Sequence, residues 1–149
     1  PAGIDQRSPA RHPDWLGPDD LALKIQEIRE ATDWQIPIQL KLGAARVYDD
    51  VRMAVKCDPD AIYIDGMEGG TGAGPHLATE ETGVPGIAAI RQARKALDDA
   101  GFQVTMIDVQ PNVIEQLAEA RPDVAFNALH GKWGEDGKIY TIDVVVYGS

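Results

Sequence analysis

Apolar residues recur along this chain at two alternating spacings. Leu21, Ile25 and Ile28 follow Gly17-Pro18-Asp19-Asp20, which reads as a helix cap, a proline at the first helical position and acids in the first turn. A helix to about Ala31 is predicted. Ahead of it, Pro9 and Pro13 disfavour helix, so residues 1–17 read as an irregular arm. After Trp34 the segment 36–42, IPIQLKL, alternates, with Ile36, Ile38, Leu40 and Leu42 on one face and Gln39 and Lys41 on the other. Val47, Val51 and Val55 then fall at i, i+4 and i+8, predicting a helix over 46–56, and AIYID predicts a strand over 61–65 that runs into the loop GMEGGTGAGPH. Ile87, Ile90, Ala93 and Leu97 predict a helix over 86–100 that stops at Gly101 before a strand over 102–109. Val113, Ile114, Leu117 and Ala120 predict a helix over 112–121, and VAFNAL a strand over 124–129.

Helices alternating with strands predict one α/β domain over 1–149, a Rossmann-like or flavodoxin-like open sheet, mainly parallel, of about five strands with helices on both faces. The tail 138–147 is rich in β-formers; its direction is left open, and Gly148-Ser149 reads as a cloning remnant. The start Pro1-Ala2-Gly3 has no initiator Met and reads as a cut inside a larger parent. A length of 149 residues falls below the roughly 200 needed to close an eightfold barrel. With 14 Lys plus Arg against 24 Asp plus Glu, the net charge of −10 argues against nucleic acid and anionic membrane as partners. The one cysteine, Cys57, excludes an intrachain disulfide, a cysteine-rich zinc site and an iron–sulfur cluster within this chain, which fits a cytoplasmic setting.

The strings GIDQRSPARHPDWLGPDDLALKIQEIREATDW, IQLKLGA and IDGMEGGTGAG followed by GVPGIAAIRQA resemble the flavin-binding barrel of the glutamate synthase family over about residues 1–100. The resemblance implies consecutive strands of a TIM-like barrel holding FMN over its C-terminal mouth. Lys41 would match the strand lysine near the flavin, and Gly69, Gly70, Thr71 and Gly72 the loop beside the isoalloxazine. From about 101 to 137, GFQVTMIDV, EQLAEARPDVAFNALHGKWGEDG and their spacing resemble the N-terminal, pre-ATP-grasp domain of D-alanine–D-alanine ligase. There His130 would match the histidine lining the D-alanine site. Together the two resemblances imply a recombined or engineered chimera joined within 95–101, with both parental sites incomplete and no evolved catalytic activity.

Other readings stay open beside that one. The glycine-rich loop serves tight turns, or binds FMN or another phosphorylated ligand; Pro75-His76 stands where a P-loop needs Lys-Ser/Thr, and Asp65 and Glu68 oppose an anion. Lys41 is a cation facing a ligand, a partner of Asp65, or a side chain reaching solvent. Asp65, Glu68, His130, Glu135 and Asp136 form a solvated acidic rim or a metal site at the strands' C-terminal edge. Trp15, Trp34 and Trp133 read as core or loop packing. Val144-Val145-Val146 allows a monomer or a homodimer paired through the last strand.

Overall fold

A computed structural model of the chain describes residues 12–68, 76–77, 81–108, 112–121, 124–127 and 143–148. Four α-helices and five strands are formed among the described residues: α1 (Pro18–Ala31), β1 (Gln39–Gly43), α2 (Val47–Ala54), β2 (Ala61–Asp65), α3 (Gly86–Asp99), β3 (Gln103–Asp108), α4 (Val113–Ala120), β4 (Val124–Asn127) and β5 (Asp143–Gly148). A 3₁₀ turn, Val55–Cys57, extends α2.

The fold is mixed α/β. Its best-packed part is the parallel pair β1–β2, in register from Gln39↔Ala61 to Gly43↔Asp65, with α2 and α3 on one face. Ile62 and Ile64 point into this core and Leu40 and Leu42 pack against it. Val47, Val51 and Ala54 of α2 meet Ala89, Ala93, Ala96 and Leu97 of α3 there. The alanines leave α3 a nearly smooth face, which lets the two helices approach closely. Ile87, expected on the core side, is instead exposed. The helix ends as expected at Gly101, whose φ of +90° is reached without strain by glycine alone.

Pro18 occupies the start of α1, and Asp20 accepts a 2.8 Å hydrogen bond from the Leu16 N–H, so the acid in the first turn also fixes the incoming chain. Ile25 packs with Ile38 and Cys57 in a second, smaller core. Arg29, buried on the same helix, donates to the Asp58 carbonyl at 2.6 Å and pairs with Asp60 at 3.1 Å. Asp60 also accepts from the Ile38 N–H at 2.6 Å. That bond explains why β1 begins later than the alternation of 36–42 predicts: Pro37 has no N–H to give a ladder, and the Ile38 N–H is already held by a carboxylate.

Sheet order is β1-β2-β4-β5-β3. The first two pairings are parallel; β5 lies antiparallel to both β4 and β3. The mixed α/β character therefore agrees with the sequence reading, whereas the mainly parallel, Rossmann-like or flavodoxin-like sheet does not. Inserting β5 between β4 and β3 separates two strands that a doubly wound sheet would pair directly. With both edges of β5 occupied, the expected homodimer through this strand would require exchange of the strand rather than edge pairing. Helices α2 and α3 share one face, as right-handed crossovers require for β1, β2 and β3 taken in that order across the sheet. Over β1 and β2 no helix among the described residues covers the other face, where Gln39 and Lys41 are exposed and Tyr63 is half-buried. Among the described residues no helix is long and apolar enough to cross a membrane.

Candidate functional site

Strand alternation sends Leu40 and Leu42 to the helices and Lys41 to the open face. Lys41 stands beside Tyr63 in the register, and its ammonium pairs with the Asp65 carboxylate at 2.9 Å. The lysine side chain is 67% exposed and that of Asp65 25%, so the pair sits at the surface near the C-terminal ends of two neighbouring parallel strands. Of the three roles open to Lys41, pairing with Asp65 is realised, and its exposure leaves the ammonium accessible.

Backbone bonds fix this edge. The Ala44 N–H donates to the Asp65 carbonyl at 2.7 Å, and the Val84 N–H donates to the Ala44 carbonyl at 2.7 Å. The Met67 N–H donates to the Val84 carbonyl at 3.0 Å, closing the base of the loop that carries the glycines. Glu68 then reaches across the same base. Its two carboxylate oxygens accept from the Gly86 N–H at 3.0 and 3.2 Å, placing a negative charge at the start of α3. Pro85 at the cap provides no such group itself. Sequence reasoning assigned Glu68 to a flanking acid; its capping role spans eighteen residues and has no local signal.

Gly66 shows how tight this junction is. A Cβ there would lie 2.8 Å from the Gly86 nitrogen and 2.9 Å from its Cα, besides striking the Glu68 carboxylate. Glycine at this position is required by close approach of β2's exit to α3's entry.

Gly69, Gly70, Thr71, Gly72, His130, Glu135, Asp136 and Trp133 lie outside the described residues. The acidic rim is thus described for Asp65 and Glu68 alone, and each is engaged as above. No group of three or more metal-binding side chains occurs among the described residues. Trp15 stacks on His12 at 3.9 Å, and Trp34, exposed, lies under the Arg29 guanidinium at 5.2 Å, so both are loop contacts and neither is core.

The model for the conserved region in glutamate synthase matches residues 1–111. A glutamate synthase large subunit-like protein of Rhizobium meliloti is 54% identical over 102 residues, 68% of this chain and 23% of that protein. An archaeal NADPH glutamate synthase of Methanocaldococcus jannaschii is 35% identical over 129 residues, 86% of this chain and 25% of that protein. The chain spans about a quarter of the length of these relatives. A D-alanine–D-alanine ligase of Cereibacter sphaeroides is 60% identical over 42 residues, 28% of this chain and 14% of the ligase. No solved structure matches. The likeness is accordingly in two parts, a longer one to the glutamate synthase region over residues 1–111 and a shorter one to the ligase.

Proposed function

Because the chain belongs to the glutamate synthase family, we propose that it carries part of a flavin-binding barrel mouth, with FMN or another phosphorylated ring ligand lying against the open face of β1 and β2. The observation that carries this reading is the accessible Lys41 ammonium, held by Asp65 near the C-terminal ends of adjacent parallel strands. Open α/β sheets and barrels alike receive ligands at that edge.

The described residues fit one part of such a ligand and not another. A ring system laid on the face meets Tyr63 and the Lys41 cation, which would stabilise negative charge at the ring's edge. The start of α3 does not fit a phosphate, because Glu68 already fills it. The loop containing Gly69, Gly70, Thr71 and Gly72 is assigned, as the family resemblance implies, to the ring rather than to the phosphate. FMN, when bound, supplies the redox chemistry; Lys41 and Asp65 orient it and set its charge environment. Relatives about three times as long bring further elements, so complete synthase chemistry is not assigned to these 149 residues.

The ligase similarity favours a second reading, a recombined chain without evolved catalytic activity, in which Lys41, the loop and His130 are relics. Titrating FMN with the protein separates the two. Saturable quenching of flavin fluorescence that Lys41→Leu weakens supports the first reading. No quenching at high micromolar FMN refutes it. Since Lys41 is mostly exposed, Lys41→Leu should change stability by less than about 1 kcal/mol, so weakened quenching reports the lost cation.

A further inference from the structure

We propose that a groove at the outer edge of β1, whose lining includes Lys41 but not Asp65, binds an aromatic monocarboxylate. The groove encloses about 560 Å³ between the chain entering α1, strand β1 and α2, within the range of small-ligand sites. Its lining is mainly apolar, including Leu21, Leu42 and Met53, and Cys57 closes one side. The His12–Trp15 stack, with rings 7° from parallel, gives it a flat aromatic wall. Such a lining favours a planar apolar body.

The mouth selects charge. Arg46 lines the groove with its side chain 79% exposed, and its contact with Asp50, at 3.9 Å, is too long for a hydrogen bond. The guanidinium fork therefore retains donors suited to a carboxylate. His12 accepts the Asp14 N–H on Nδ1 at 3.2 Å, which leaves the Nε2–H of the neutral ring as a second donor. Lys41, the other lining cation, is already paired with Asp65 at 2.9 Å, and Asp50 stands beside Arg46, so the charge available at the mouth suits one carboxylate and opposes a second. Another cavity, along α1, is lined by Asp14, Asp20 and Glu27 against the single cation Lys24, which Asp14 and Glu27 already pair, and disfavours the same ligand. In a chain of net charge −10, an anion needs a local cation such as Arg46 to bind at all.

Calorimetric titration of the whole chain with 2-naphthoate tests this. Saturable binding with Kd near or below about 1 mM is expected from the ligand's size. Naphthamide, equal in shape and uncharged, should bind at least about fivefold more weakly, and Arg46→Gln should weaken naphthoate by a similar factor. Arg46 is exposed, so Arg46→Gln should fold normally; the two ligands on the unaltered protein keep the test independent of that. Equal binding of acid and amide, indifference to Arg46→Gln, or no saturable heat would each overturn the proposal. Lys41 lines both this groove and the face proposed for flavin, so Arg46→Gln, which leaves the Lys41–Asp65 pair in place, is the variant that separates the two: it should weaken naphthoate and spare flavin quenching.

Discussion

Replacing Gly66 by alanine places one methyl group where the structure has no room. The nearest obstacles are backbone atoms, the Gly86 nitrogen at 2.8 Å and its Cα at 2.9 Å, and neither can rotate aside as a side chain would. The β2 exit and the α3 entry must separate, and overpacking of this kind costs about 1–3 kcal/mol. The same methyl strikes the Glu68 carboxylate, and loss of its bond to Gly86 removes a helix cap worth about 1 kcal/mol. The total, about 2–4 kcal/mol, corresponds to a Tm lowered by roughly 10 °C in a chain of this size. Gly43→Ala is the control, since a Cβ there meets nothing within 4 Å and should shift stability by no more than about 0.5 kcal/mol. Urea unfolding followed by circular dichroism measures both, with an unchanged m-value confirming that the native state is the one affected. A Gly66→Ala protein within about 0.5 kcal/mol of the parent would refute the close approach on which the functional edge depends.

Two other side chains give expectations of a different kind. Tyr48 on α2 donates to Asp99 on α3 at 2.7 Å, and Lys95 pairs with Asp99 at 2.6 Å. Lys95 and then Tyr48 hold the Asp99 carboxyl below its ordinary 3.8, while Asp99 raises the Lys95 ammonium above 10.5. Stability from Asp99 is then fully present above pH 3.8 and lost as pH falls through its lowered folded value. That from Lys95 is fully present below pH 10.5 and lost as pH rises through its raised one. Urea midpoints of Asp99→Asn and the parent should therefore differ at neutral pH, converge as pH falls through the lowered Asp99 value, and narrow as it rises through the raised Lys95 value; a constant gap would count against the tie. Burial, reinforced by the charge of Asp19, pushes the Cys57 thiol up. Iodoacetamide should accordingly alkylate native protein at least about tenfold more slowly than unfolded protein at the same pH, and equal rates would contradict that placement.

Strand β2 occupies the residues its alternation predicts, and α1, α2 and α3 fall within a turn of their expected bounds, because each is set by its own apolar periodicity. Strand β1 was less legible. Its apolar alternation begins at Ile36, but Ile36 is exposed and Ile38 joins the α1 core, a division made by Asp60 and Arg29 from elsewhere in the chain. The order of the sheet was not legible, since only tertiary pairing decides that β5 enters antiparallel between β4 and β3. At the candidate site, alternation sufficed to put Lys41 opposite the leucines, and the pairing with Asp65 followed from parallel register. The Glu68 cap and the groove beneath Trp15 escaped notice because both join residues whose proximity no short-range pattern encodes.

The closed base between Met67 and Val84 also bears on how this chain can change. Bonds at 3.0 Å between these residues and from Glu68 to Gly86 hold the two ends of the loop together independently of what lies between them. Once loop ends are fixed, doubling the intervening length costs only about 0.6 kcal/mol in closure entropy. Insertions, deletions and wholesale replacement between positions 69 and 82 should therefore leave the neighbouring core largely undisturbed. The clamp makes the segment an exchangeable cassette, a place where new binding chemistry can be tried by evolution or by an engineer while the scaffold stays the same.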